Sequence, residues 1–255
     1  MGRARHVLSV PVSFPASAPA LSGLHRALAV FAHPDDVDFG CAGTIAAWVE
    51  EGIEVAYLII TRGESGGFDD TPREEVPRLR EREQRAAAAA VGVHRVDFVD
   101  GHADGILTPS LALRRQVAAA IRRFRPERVL TSSPLRRWEH LAGPSHPDHL
   151  AVGEATTCAV YPDARNAFAF PELLDEGLEP WVVREIWYAG GPAPDHAVDV
   201  TPYLDRKIAA MRAHRSQTAH LDVETWVRGW LTTVADNAGL PAGRLAESFT
   251  VLRTE

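Results

Sequence analysis

Residues 27–36 read Ala27-Leu28-Ala29-Val30-Phe31-Ala32-His33-Pro34-Asp35-Asp36. The unbroken apolar run suits a strand covered on both faces, as strands of parallel sheets are. An imidazole and two carboxylates follow at once. Ionisable groups at the mouth of a buried strand are costly to desolvate unless positive charge meets them there. Taken alone, the motif also fits a solvated acidic turn, because aspartate suits the start of a helix.

Outward from this stretch, strands and helices alternate. A helical stretch runs through Trp48 to Gly52, Ile53 to Ile60 reads as a strand, and an Arg/Glu/Ala helix spans about Arg73 to Val91. Val96 to Val99 is a third strand. Thr108-Pro109 offers a hydroxyl cap and a proline for the next helix, whose Leu113, Val117, Ile121 and Phe124 recur on one face. Val129 to Thr131 is a fourth strand, His149 to about Val160 a helix, and Glu185 to Ala189 a fifth strand. Helices opened by Thr201-Pro202 and marked by Trp226, Trp230 and Val234 complete the chain. This order predicts an α/β fold: a single Rossmann-like, three-layer domain over residues 27–255 with a mostly parallel, twisted sheet. Residues 1–26 are rich in Pro, Ser and Ala and read as a loosely ordered arm. Ligands of such sheets sit at the carboxyl ends of the strands, so the active site is expected in the loops after the first four.

A second cluster, Ser145-His146-Pro147-Asp148-His149, lies in the loop after strand four and leads directly into a helix. Both clusters should converge on one edge of the sheet. His33, Asp36 and one histidine of the second cluster would make a His₂–carboxylate set with an open position for water, the pattern of a catalytic zinc. Asp35 would then be free to serve as general base. The donor set by itself also suits ferrous iron, cobalt or manganese.

Composition narrows the classes. The chain has 255 residues, 45% of them hydrophobic, which excludes a disordered tail. Its 34 acidic residues exceed 27 basic ones for a net charge of −7, against a nucleic-acid partner. Lys207 is the sole lysine, which reads as a base-composition bias and leaves anion gripping to arginine. No apolar run reaches the length of a membrane span or follows the amino terminus as a signal core would. Cys41 and Cys158 make neither a disulfide framework nor a zinc-finger spacing. A soluble, cytoplasmic protein is expected, with no membrane partner.

The run Ala32-His33-Pro34-Asp35-Asp36, with Gly40, Gly43 and Thr44, resembles the first motif of the PIG-L/LmbE-like zinc-dependent N-deacetylases. His146-Pro147-Asp148-His149 resembles their second motif, and Thr61-Arg62-Gly63-Glu64 and Lys207 through His214, Ser216 and Gln217 resemble further ones. The resemblance covers about Ala27 to Gln217. It implies one Zn²⁺ per chain on His33, Asp36 and His149, with Asp35 as the base that deprotonates metal-activated water. His146 is implied as the group that stabilises the oxyanion, with Asp148 holding it in orientation. It further implies sugar contacts by Arg80 and Asp104, with Arg62 as an additional reach into the mouth. His102 and His140 are expected to be exposed loop residues. Cys41 is expected to pack in the core, and His214 against the site wall.

The activity so implied is hydrolysis of the N-acetyl group of an N-acetylglucosamine-type sugar or small glycoconjugate. The stretch from Thr201 to Phe249 is most similar to the chitooligosaccharide-type branch. The loops Gly63–Arg73 and Tyr161–Trp181 are expected to shape the pocket. A mycothiol-type S-conjugate amidase, or a deacetylase of a sugar-bearing secondary metabolite, is the alternative. Relatives often form trimers or hexamers, so a homo-oligomer is also implied. A Rossmann-like nucleotide-binding module is the competing class. It is disfavoured because the first loop carries carboxylates in place of the glycine-rich turn that admits a pyrophosphate.

Overall fold

The computed structural model describes residues 23–67, 71–139 and 141–254. Most of the expected arm, residues 1–22, lies outside the described residues. One seven-stranded sheet runs in the order β3-β2-β1-β4-β5-β7-β6. Its strands are β1 (Arg26–Phe31), β2 (Glu54–Ile59), β3 (Arg95–Phe98), β4 (Arg128–Ser132), β5 (Glu185–Ala189), β6 (His196–Asp199) and β7 (Ala246–Arg253). The first five pair in parallel, and β7 pairs antiparallel with both β5 and β6. Alternate residues of β1 enter opposite cores. Leu28, Val30 and Ala32 pack on one face, and Ala27, Ala29 and Phe31 on the other. The doubly buried strand read from residues 27–32 is therefore present.

Helices α1 (Asp36–Glu50), α2 (Val76–Ala90) and α6 (Leu204–Ala213) cover one face, while α3 (Leu111–Phe124) and α4 (Pro147–Cys158) cover the other. Short α5 (Glu172–Asp175) and α7 (Arg215–Thr218) and the tryptophan-bearing α8 (Val223–Asn237) complete the described α-helices. Leu113, Val117, Ile121 and Phe124 are buried as their spacing predicts. The cap of α3 differs: Ser110 Oγ, not the Thr108 hydroxyl, accepts the Leu113 N–H. The α3 chain starts after Pro109, which leaves the later hydroxyl at the end of the helix.

The chain leaves β1 toward β2 by way of α1 and reaches β4, on the other side of β1, by way of α3. The order of the sheet thus reverses between β1 and β4, and the loops after these strands splay apart there to leave a crevice. Gly153 fixes how α4 meets this crevice. A Cβ at Gly153 would lie 2.4 Å from Ser132 O, so only glycine lets α4 lie against the end of β4.

The carboxy-terminal strand locks α1. Glu247 on β7 accepts the N–H groups of Gly43 and Thr44 at 3.0 and 2.8 Å. Lys207 of α6 donates to Glu247 Oε1 at 2.7 Å and to the carbonyls of Asp38 and Phe39. Both side chains are fully buried, and breaking such a pair leaves a stranded charge. Lys207→Met is therefore expected to lower unfolding stability by about 3–5 kcal/mol, measured by denaturant unfolding. Lys207→Met with Glu247→Leu should recover part of that loss.

Candidate metal centre and active site

His33 ends the first buried run, and its peptide N–H donates to Asp36 Oδ2 at 2.8 Å. That bond turns the Asp36 carboxylate back toward the strand at the first turn of α1. His149 arrives from the first turn of α4 across the switch point. Three donor atoms meet: His33 Nδ1 lies 3.3 Å from Asp36 Oδ2 and 3.2 Å from His149 Nε2, and His149 Nε2 lies 2.9 Å from Asp36 Oδ1. Ligands at about 2.0–2.1 Å around one tetrahedral ion stand roughly 3.3 Å apart, so the triangle fits a single cation. A His–Asp–His group able to hold a metal ion is thus present. His146 stands beside it, its ring centroid 5.1 Å from that of His33. Nitrogens of His33, His146 and His149 come within 4.8 Å of one another, but Asp36 makes the shorter contacts.

The other face of His33 is as crowded. Its Nε2 meets Asp104 Oδ1 at 2.9 Å and Asp148 Oδ2 at 3.1 Å. Asp148 also accepts the N–H groups of Gly105 and Leu107, which ties the loop after β3 to the head of α4. This corrects the expectation that the Asp148 carboxylate orients His146. The carboxylate faces His33, as the outer partner of a metal-bound histidine does. The backbone N–H of Asp148 is what meets His146, donating to Nδ1 at 3.2 Å. An accepting Nδ1 leaves the proton of a neutral imidazole on Nε2.

The electrostatics explain what the cluster demands. Burial alone would lower the pKa of His33, but Asp36, Asp104 and Asp148 overrule it and push it up to about 12. His149 is likewise lowered by burial and raised by more through Asp36. The field therefore calls for positive charge, which a divalent cation can supply in place of protons. Burial, with His33 and His149 nearby, holds His146 below its ordinary value. Burial raises Asp35 to about 6, opposed by Arg80 and reinforced by Asp36.

Asp35 stands beside the triangle in a strained backbone, with φ 94° and ψ −31°. Such a conformation costs of order 1–3 kcal/mol. Arg80, only 3% exposed, donates to Asp35 Oδ2 at 3.1 Å and to the carbonyls of Pro34 and Gly63. Expected as a sugar contact, it lies behind Asp35 in this structure. Asp104, the other expected sugar contact, lies against His33 and also accepts the Ser65 N–H. Arg62 is not brought to the site: its donors go to Glu81, Asp100 and the Val99 carbonyl.

The pocket walls also differ from expectation. Loop 161–181 lies at the opposite edge of the sheet, because α4 runs away from the site. Trp181 Nε1 donates to Pro126 O ahead of β4, and Arg122 near the end of α3 donates to the carbonyls of Asp163, Ala164, Asn166, Ala169 and Leu178. The described part of loop 63–73 does border the site, where Gly63 rests on Arg80. The loop after β4 is held beside it by Ser145 Oγ, which bonds the Arg137 N–H and carbonyl. His102 bonds Gln116 of α3, and His140 lies outside the described residues. Cys41 is buried in the core, where burial pushes its thiol pKa up. His214 is buried too, with a specific partner in Asp38 at 2.8 Å. Gln84, which binds the Asp35 N–H, was not foreseen; its only sequence signal is its place four residues after Arg80.

Comparison with known proteins gives consistent results. The family model described as PIG-L, GlcNAc-PI de-N-acetylase, matches residues 28–160. Diacetylchitobiose deacetylase of Thermococcus kodakarensis is 30% identical over 88% of this chain and 82% of its own length. The 1D-myo-inositol 2-acetamido-2-deoxy-alpha-D-glucopyranoside deacetylase of Tsukamurella paurometabola is 30% identical over 76% of this chain and 83% of its own. Among solved structures, N,N'-diacetylchitobiose deacetylase from Pyrococcus horikoshii superposes with a TM-score of 0.80 at 26% identity, covering 90% of this chain and 84% of that one.

The geometry predicts one divalent cation per chain. Asp36→Ala or His149→Ala should abolish tight binding, whereas Asp104→Asn or Asp148→Asn should weaken it by about 10–100-fold. Metal analysis with chelator competition measures both. Loss of the ion from His146→Ala but not from Asp36→Ala would assign it to the three imidazoles instead.

Proposed function

The chain belongs to the PIG-L family of de-N-acetylases, and we propose that it is a zinc-dependent hydrolase of the acetamido group on an N-acetylglucosamine-type sugar or small glycoconjugate. The observation that carries this reading is the convergence of His33 Nδ1, Asp36 and His149 Nε2 within 3.3 Å of one another, with Asp35 next to Asp36 in the chain and within electrostatic reach of His33. These three residues would hold the metal. When bound, it supplies Lewis acidity, polarising the amide carbonyl and making water acidic enough to ionise near neutral pH.

The remaining work falls to the chain. Asp35 accepts the proton of the attacking water; burial raises its pKa above the ordinary carboxylate range, which makes it a stronger base for that step. Arg80 holds Asp35 Oδ2 and so fixes the direction of the base. His146, neutral and protonated on Nε2, donates to the carbonyl oxygen as negative charge develops there. The proton taken by Asp35 leaves on the departing amine.

Exposed apolar side chains on the loops after β3 and β4, Ile106 and Trp138 among them, suit the apolar face of a pyranose ring. A chitooligosaccharide-type substrate is favoured by the similarity to the Thermococcus enzyme. The relative from Tsukamurella keeps a glucosaminyl-inositol substrate as the second reading. A reducing, cytoplasmic setting suits the free thiols of Cys41 and Cys158.

Acetate or amine release from N-acetylglucosamine, diacetylchitobiose and acetylated glucosaminyl-inositol tests the substrate. Asp35→Asn is expected to keep the metal and to lose about 10²–10⁴-fold in kcat. Wild-type turnover by that variant would overturn the role of Asp35.

A further inference from the structure

Asp35 is one of three non-glycine residues with positive φ among the described residues. Arg125, at φ 57° and ψ 54°, sits in the ordinary left-handed well; Asp35, at φ 94° and ψ −31°, does not. A backbone held there persists only where its surroundings over-determine it. The peptide unit joining Pro34 to Asp35 sets that conformation, and α2 takes both its polar atoms. Arg80 Nη2 donates to Pro34 O at 2.6 Å, and the Asp35 N–H donates to Gln84 Oε1 at 2.9 Å. Arg80 and Gln84 are four residues apart, so one helical turn presents both to the same peptide plane.

Gln84 can grip Asp35 only with its amide oxygen forward. A flipped amide would set N–H against N–H. Asp38 opposes the flip: its Oδ2 accepts the Gln84 Nε2 donor at 2.7 Å, and a flipped amide would set oxygen against oxygen there. His214 Nε2 lies 2.8 Å from the same oxygen and holds Asp38 in turn. Gln84, Asp38 and His214 are all 0% exposed, so water offers no substitute. Asp36 has separate support from the His33 N–H. The two adjacent carboxylates are thus oriented by different parts of the molecule.

We propose that Gln84 is a positioning residue for the general base, held in register by Asp38 and His214, and that it aims Asp35 without touching the metal-binding residues. The proposal rests on the reading of Asp35 as base. It gives the late stretch around His214 a defined part in the site, carried through two buried hydrogen bonds.

Gln84→Met removes both polar ends at similar volume. We expect unchanged metal content and chelator resistance, KM within about threefold, and kcat lower by about 10–100-fold. His214→Gln, whose amide can still donate to Asp38, should retain more kcat than His214→Leu. Wild-type kcat in Gln84→Met overturns the proposal, as does a deficit that excess zinc fully restores. Should Gln84→Met not fold, Gln84→Asn is read the same way, since it keeps both polar groups but withdraws them by one methylene from Asp35 and Asp38. Lower kcat at full metal content supports the proposal, and unchanged kcat overturns it. Asp35→Asn, run in parallel, separates the two ideas. If it turns over at the wild-type rate, the base reading has failed. If it is inactive while Gln84→Met is fully active, only the positioning has failed.

Discussion

A buried imidazole that meets a carboxylate on one nitrogen and two more on the other is stable only where positive charge balances them. His33 is that imidazole, with Asp36 at Nδ1 and both Asp104 and Asp148 at Nε2. The arrangement binds three segments of the chain to one ring: the head of α1, the loop after β3 and the head of α4. A cation on the Nδ1 side would satisfy Asp36 and His149 together, while the carboxylates on the Nε2 side would hold the ring and strengthen it as a donor. His33 is therefore both the centre of the metal group and the joint between its supports.

The sheet makes this joint possible. Parallel strands send their loops to one edge, and the reversal between β1 and β4 opens the crevice in which the two His-Pro-Asp clusters face each other. The carboxy-terminal part then fixes α1, whose first turn bears Asp36. Glu247 and Lys207 bind its backbone at Asp38, Phe39, Gly43 and Thr44, and His214 binds its Asp38 side chain. The antiparallel strand β7 thus belongs to the support of the site, although it supplies none of the groups proposed to do chemistry.

The convergence of His33, Asp36, His146 and His149 was readable because strand–loop–helix order alone sends both clusters to the same edge. Most of the five parallel strands are readable for a related reason: their apolar runs leave few alternatives, whereas β3 alternates in polarity. Strands β6 and β7 were missed. Residues 248–251 alternate in polarity, but a strand that joins a sheet far from its sequence neighbours announces no partner. Pairings were hidden in the same way. Asp148 lies 115 residues from the imidazole it faces, and spacing suggested the nearer His146 instead. Arg62 follows β2 by only three residues, yet Glu81 and Asp100 claim it. Loop 161–181 was misplaced because only the direction of α4 decides at which edge it emerges. The Gln84–Asp38–His214 chain needs three segments in register and has no local signature.

In the proposed site one ion sits among His33, Asp36 and His149 while Asp35 and His146 stay free for proton work. Anomalous scattering from crystals of the metal-loaded protein tests it most directly. We expect an ion at about 2.0–2.2 Å from His33 Nδ1, an Asp36 oxygen and His149 Nε2, with Asp35 and His146 off the metal. An ion on His33 Nε2 between Asp104 and Asp148, or one held by His33, His146 and His149 with Asp36 turned away, would contradict it.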